Sequence, residues 1–349
     1  MTILNPIRVG YLRLTDSAPL IVAQALGFYA EYGLNVELVQ DVSWANVRDK
    51  LAAGVLDAAQ MLAPLPAMTT MGVSGLRSHL ITGLVMSRNG NAITISNELF
   101  EDINHNACER PLNQTAARLI GQRVQDLDHK LTFAVVHTFS GHMLLLRRWL
   151  ASGGLDPDSD VRIIIMPPSQ MADSLSTGVI DGFCVGEPWS TVAVEANQGA
   201  IVAAGSEIWP AAAEKVLCVQ QHWHESNPEH HLQLRMALMQ ACRWIDQPEN
   251  HDHLIQVLSD VLGLSATTLA RSLSGKIMLD HKNTIEVQNF HMFHGNRLGA
   301  PDIEEQCELI SLCAAIMGKT IDREKTLYLA KQTALPQLYA QAEAALGWQ

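Results

Sequence analysis

The chain repeats itself. Residues 51–61 (LAAGVLDAAQM) return as residues 175–185 (LSTGVIDGFCV), an offset of 124 residues. The same offset lays residues 8–14 (RVGYLRL) on residues 132–138 (TFAVVHT), both short apolar alternations suited to strands. A helical pattern follows each, over residues 18–32, stopped by Gly33, and over residues 141–152, stopped by Gly153 and Gly154. Each then enters a strand rich in β-branched residues, 35–39 (NVELV) and 161–166 (VRIIIM), as buried parallel strands require. Each half therefore reads as strand, helix, strand, helix, strand, and parallel strands joined by helical crossovers make an α/β lobe. Gly54 and Gly178 are expected to close the second helix of each half in a left-handed cap. Asp57 and Asp181 would then open the next strand.

At 349 residues the chain outgrows a single hydrophobic core, which agrees with two lobes. We read residues 1–101 as lobe 1, the polar, turn-rich residues 102–126 as a connector, and residues 127–222 as lobe 2. Residues 223–349 form a helical region packing on the lobes and hinge. Its amphipathic stretches are 230–246, 253–262 and 302–317, and no strand pattern there is long enough to found a third sheet. Duplicated lobes commonly close around a small ligand held in a cleft.

Composition narrows the function. With 48% apolar and 17% charged residues this is a folding chain rather than a disordered one. The formal net charge of −12, without a basic cluster, argues against direct nucleic-acid binding. Apolar runs such as 312–317 are far too short to cross a bilayer, which needs roughly 20 residues. The first sixteen residues carry no export-signal pattern and read as a cytoplasmic start. Cys108, Cys184, Cys218, Cys242, Cys307 and Cys313 are dispersed, without a C-x-x-C pair, and are expected as buried reduced thiols. The nearest approach to a metal-ligand pair is His251-x-His253 or His291-x-x-His294, for which a solvated role is the commoner fate. No metal, cofactor or nucleophile–base pair is expected, and the chain reads as a binding protein rather than an enzyme.

Several stretches together carry a family resemblance: residues 27–34 (GFYAEYGL), 42–48 (VSWANVR), 60–66 (QMLAPLP), 89–94 (NGNAIT), 185–189 (VGEPW) and 205–210 (GSEIWP), followed by Glu214-Lys215. In this order they resemble the substrate-binding proteins of nitrate, bicarbonate and sulfonate importers, over most of the first 220 residues. The resemblance implies an α/β, type II periplasmic-binding-protein-like fold, two lobes with a ligand cleft between them and a helical C-terminal region. Within that family the chain is similar to the NasS-type nitrate/nitrite sensor, a cytoplasmic protein that holds a NasT-type (ANTAR-type) RNA-binding antiterminator until nitrate or nitrite arrives. Two alternatives share the fold: the binding component of a nitrate or bicarbonate importer, and a pyrimidine-synthase-like enzyme.

Nitrate is a permanent planar monoanion, so its pocket must supply donors and positive charge. His142 falls at the start of a predicted helix, where unpaired N–H groups already favour an anion, although backbone or water could equally satisfy its ring. The resemblance makes it a ligand contact. Lys215 stands where nitrate binders of the family carry lysine and bicarbonate binders an acid; by itself it could be an ordinary surface lysine. On this reading, Lys215→Glu abolishes the nitrate response and leaves the fold intact. Trp44 follows the second strand of lobe 1 and offers a donor-only indole N–H, or is simply a core tryptophan. Asn91 stands where nitrate importers carry glutamine, one methylene longer. Gln60, Pro64, Pro66, Glu187 and Trp189 are read as shaping the cleft wall.

Overall fold

The computed structural model of the chain describes residues 6–73, 75–105, 110, 112–280 and 282–348. Its strands are β1 (Ile7–Leu12), β2 (Val36–Asp41), β3 (Ala58–Leu62), β4 (Leu80–Asn89), β5 (Asn91–Ser96), β6 (Thr132–Val135), β7 (Arg162–Ile165), β8 (Gly182–Gly186), β9 (Gly199–Ala204), β10 (Ala213–Gln220), β11 (Lys276–Met278), β12 (Thr284–Glu286) and β13 (His291–Met292). They form a six-stranded sheet, β13-β4-β10-β3-β1-β2, a five-stranded sheet, β7-β6-β8-β5-β9, and a hairpin, β11-β12.

The repeat is visible in the register. β1 pairs in parallel with β3 through Val9↔Ala58 and Gly10↔Ala59; β6 pairs with β8 through Phe133↔Gly182 and Ala134↔Phe183, each partner displaced by the same 124 residues. The two repeated aspartates do one job. The Arg8 N–H donates to Asp57 Oδ2 at 2.8 Å while the Asp57 N–H donates back to Arg8 O at 2.9 Å. Thr132 N–H and Asp181 make the same reciprocal pair at 2.7 and 2.8 Å. Gly54 and Gly178 adopt φ +72 and +69, the left-handed caps the repeat calls for. The repeat thus encodes a structural brace: a side chain captures an N–H at the start of the neighbouring strand, from Arg8 in β1 and Thr132 in β6.

Most predicted elements fall where the pattern puts them. The helix Gly141–Ser152 has the expected bounds, whereas residues 18–32 split into Ala18–Ala25 and Phe28–Glu31 because Gly27 takes φ +79. The tail helices run Pro228–Ile245, His251–Leu262 and Ile303–Ile316.

The division of the chain differs from the sequence-based boundaries. One compact unit comprises residues 1–88, 213–264 and 292–349; the other comprises 89–212 and 265–291. The expected connector, 102–126, lies inside the second unit, and residues 106–109 and 111 of it, with Cys108, are outside the described residues. Much of it is the helix Asn113–Gln125, whose Ala116, Ala117 and Ile120 are buried. Polar residues on its outer face hid that apolar stripe. Gly153 explains the fit: a Cβ there would lie 2.2 Å from Ala117 O. The helical tail is likewise shared. Pro228–Ile245 packs on Ala18–Ala25 in the first unit, and Ala266–Leu273 packs on Trp189–Glu195 in the second. The tail also contributes the small sheet β11-β12, too short to register as a strand pattern.

Candidate functional site

In the first unit, the predicted residues Trp44, Gln60 and Lys215 belong to one buried network. Trp44 is the first residue of the helix Trp44–Ala52, whose N-cap Ser43 accepts from the Asn46 N–H at 3.2 Å. Its side chain is fully buried, and its indole N–H has no hydrogen-bond acceptor among the described residues. The ammonium of Lys215 stands 5.3 Å from the centre of that ring.

Lys215 is not a surface lysine. It is fully buried on β10 and ion-paired with Asp16 Oδ2 at 2.8 Å and Glu214 Oε1 at 2.7 Å. Adjacent residues on a strand normally point to opposite faces, so contact between Glu214 and Lys215 needs an irregularity. β10 supplies it: its register with β4 shifts on both sides of Lys215, a bulge that redirects the side chains. Gln60 Nε2 donates to Asp16 Oδ1 at 2.8 Å, and its Oε1 accepts from Ser17 Oγ at 3.0 Å. Gln60 therefore orients a carboxylate rather than merely lining a wall. Pro64 and Pro66 open the helix Leu65–Met71, immediately after Ala63, whose N–H donates to Glu214 O at 3.0 Å.

The electrostatics of this cluster modify the expectation for Lys215. Two carboxylates face one ammonium, so the fully ionised trio carries a net negative charge. Burial pushes the Asp16 carboxyl above its ordinary pKa; the Lys215 ammonium pulls it down without cancelling that rise, and the Glu214 carboxylate adds to it. Burial works against the Lys215 ammonium, but the Asp16 and Glu214 carboxylates outweigh it and hold its pKa above the usual value. Lys215 stays charged, and its charge is already compensated. Sequence reasoning missed Asp16 because Thr15-Asp16-Ser17 reads as a helix start, and nothing links it in sequence to a lysine 199 residues away.

In the second unit, His142 and Asn91 are also buried. His142 is the second residue of Gly141–Ser152. The N-cap Ser140 accepts from the Met143 N–H at 3.0 Å and donates to His137 O at 2.7 Å. Asn91 opens β5 after a left-handed turn at Asn89 and Gly90, φ +59 and +81. Gly205 ties Asn91 to the His142 helix: a Cβ there would lie 3.2 Å from Asn91 Cβ and 3.2 Å from Leu145 Cδ1. Glu187 and Trp189 are buried around a cis Glu187–Pro188 bond. Glu187 accepts from the Thr191 N–H at 3.2 Å, and burial pushes its pKa up to about 7. Ser190 and Ser206 contribute buried hydroxyls that no described group engages.

Elsewhere the described residues contain no group of three or more histidines, cysteines or acids arranged to hold a metal ion, and no helix long and apolar enough to cross a membrane. His253 packs edge-on against Trp244 and His294 against Trp348. The five described cysteines are buried thiols.

Parallel α/β units completed by antiparallel strands define a class, the type II periplasmic-binding-protein-like fold. The crystal structure of the periplasmic nitrate-binding protein NrtA from Synechocystis PCC 6803 matches with TM-score 0.90 and 26% identity, covering 99% of this chain and 89% of that one. The alkanesulfonate-binding protein SsuA from Xanthomonas axonopodis pv. citri matches at 0.64 and 16% identity over 91% and 95%, a likeness of fold alone. Residues 4–259 match the NMT1-like family, and the chain belongs to that family. Among curated relatives, the nitrate import ATP-binding protein NrtC of Synechocystis is 34% identical over 345 residues, 97% of this chain and 50% of its own length. The bicarbonate transport ATP-binding protein CmpC of Synechococcus elongatus is 39% identical over 257 residues, 73% of this chain and 37% of its own. The nitrate/nitrite binding protein NrtA of Nostoc is 31% identical over 290 residues, 81% of this chain and 63% of its own. This chain thus spans half or less of the length of those two ATP-binding relatives. Both of these solved structures are of ligand-binding proteins, one for nitrate and one for alkanesulfonate.

Proposed function

We propose that this chain binds nitrate or nitrite and that occupancy is its output. The observation that carries the reading is the Trp44 indole N–H, buried without an acceptor beside the Lys215 ammonium. A buried donor left unmade costs about 1–3 kcal/mol, which an oxygen of a bound anion would recover and a cation would not. In the second unit, the resemblance assigns anion contacts to the buried His142 and, at a position where nitrate importers carry glutamine, to the buried Asn91. The nitrate-binding and nitrate-import roles of the NrtA and NrtC relatives agree with this ligand class.

Bicarbonate is the competing ligand, favoured by the CmpC relatives and by the acceptor oxygens of Asp16 and Glu214, to which a bicarbonate O–H could donate. Thermal denaturation with an anion panel separates the two. A ligand at 100 times its dissociation constant adds about 2.7 kcal/mol to stability. Nitrate and nitrite should raise the melting temperature; a rise with bicarbonate alone would reverse the assignment.

The finer reading is a cytoplasmic sensor that sequesters an ANTAR-type antiterminator and releases it when the anion binds; it rests on the resemblance to NasS-type proteins. A second reading, the binding component of an importer, is favoured by the transport functions of the relatives. Retention of an RNA-binding protein from anion-free extract and its release by nitrate would support the sensor. Fractionation of the mature protein to the periplasm would support the importer component.

A further inference from the structure

The first unit contains a cavity of about 420 Å³ that the anion cluster does not use, lined by Thr70, Met71, Arg77, His79, Ile321, Lys325, Tyr328, Leu329 and Gln332. Its charge is anomalous. The chain carries 36 acids against 24 bases, yet among the described residues no carboxylate lines this cavity, and two permanent cations do. Neither Arg77 nor Lys325 is engaged by a carboxylate among the described residues. Arg77 is preplaced. Its stem lies against Gly72, φ +76, where an added Cβ would sit 3.2 Å from Arg77 Cδ. The opposite wall is the helix Arg323–Thr333, which presents Lys325, the 66%-exposed Tyr328 and Leu329 from successive turns. That wall is fastened to the first by His79 Nε2 and Gln332 O at 3.0 Å.

We propose that this cavity is a second binding site, for a small organic dianion such as a dicarboxylate or a phosphate monoester. Its volume falls in the range of small-molecule pockets. Two separated cations match two charges, Thr70 and Tyr328 add hydroxyls, and Met71, Ile321 and Leu329 provide an apolar floor for a short carbon skeleton. A polyanionic polymer is disfavoured by the acidic remainder of the protein. Both cations are solvent-exposed, so attraction weakens with salt.

The test is calorimetric titration of the full chain with glutarate and, separately, glycerol 3-phosphate, at 50 and 300 mM sodium chloride. One probe should bind saturably at one per chain, more weakly at high salt; which probe does so distinguishes the carboxylate from the phosphate source. The double variant Arg77→Ala/Lys325→Ala should weaken that binding at least tenfold and leave the nitrate-induced rise in melting temperature unchanged. Lys325→Gln alone should give an intermediate loss, and serves if the double variant folds poorly. Absence of saturable heat from both probes overturns the proposal, as does wild-type affinity in the variants.

Discussion

At the scale of single residues, burial of Lys215 changes what its replacement should do. A surface lysine could become glutamate without structural cost. Here that exchange would place three carboxylates in one buried cluster. Even Lys215→Met leaves Asp16 and Glu214 without their counter-ion, a loss of about 3–5 kcal/mol for a broken buried ion pair. We therefore expect both variants to unfold at lower urea concentration than wild type, with glutamate the worse; unchanged midpoints would show that the trio does not hold the first unit together. Trp44→Phe is the sharper probe of binding. It keeps an aromatic ring beside the ammonium and removes the unmatched donor, so the nitrate-induced rise in melting temperature should fall while anion-free stability stays close to wild type. A full nitrate response in Trp44→Phe would remove the indole from the ligand contacts.

Glu187 gives a pH-dependent prediction of definite sign. Burial raises its folded pKa from 4.5 to about 7, so the native state holds a proton that the unfolded chain has released between those values. The stability linked to this proton is full below pH 4.5 and lost as pH rises through about 7, an effect of at most about 3 kcal/mol. Urea denaturation at pH 5 and pH 8 should show wild type losing more stability than Glu187→Gln over that interval. Equal losses would mean that the carboxyl ionises freely.

Elements show why part of this architecture was legible and part was not. The brace at Asp57 and Asp181 was written in plain text, because the same Gly-Val-x-Asp pattern recurs at one offset and each aspartate captures a strand N–H one residue before β3 or β8. Asp57→Ala and Asp181→Ala should each cost about 1–3 kcal/mol, the penalty for exposing an unpaired buried donor, and by similar amounts. A large effect at only one position would show that the halves no longer share the device. The Asp16–Lys215–Glu214 trio was not legible. It is assembled by a strand returning antiparallel into the first sheet and by a bulge that breaks the period-2 rule from which strand faces are read. Helix Asn113–Gln125 was hidden for a different reason: its buried face is only Ala116, Ala117, Ile120 and Gly121, a weak signal beside its polar flanks.

For the whole molecule, the two units were predictable from the duplication, but their borders were not. The chain passes from one unit to the other after residues 88, 212, 264 and 291, so neither unit is one continuous segment. A truncation at residue 222, the border suggested by the repeat alone, would remove Pro228–Ile245 from the first unit and β11-β12 from the second. We expect such a fragment to lose the cooperative melting of the full chain, as followed by circular dichroism.

The matched braces have a further consequence. At the 124-residue offset Asp57 coincides with Asp181, while Asp16 falls on Ser140 and Ala18 on His142. The two copies share the strut and differ at the helix entrances. Selection could thus retune the chemistry of recognition in one copy while leaving the joinery beneath it untouched.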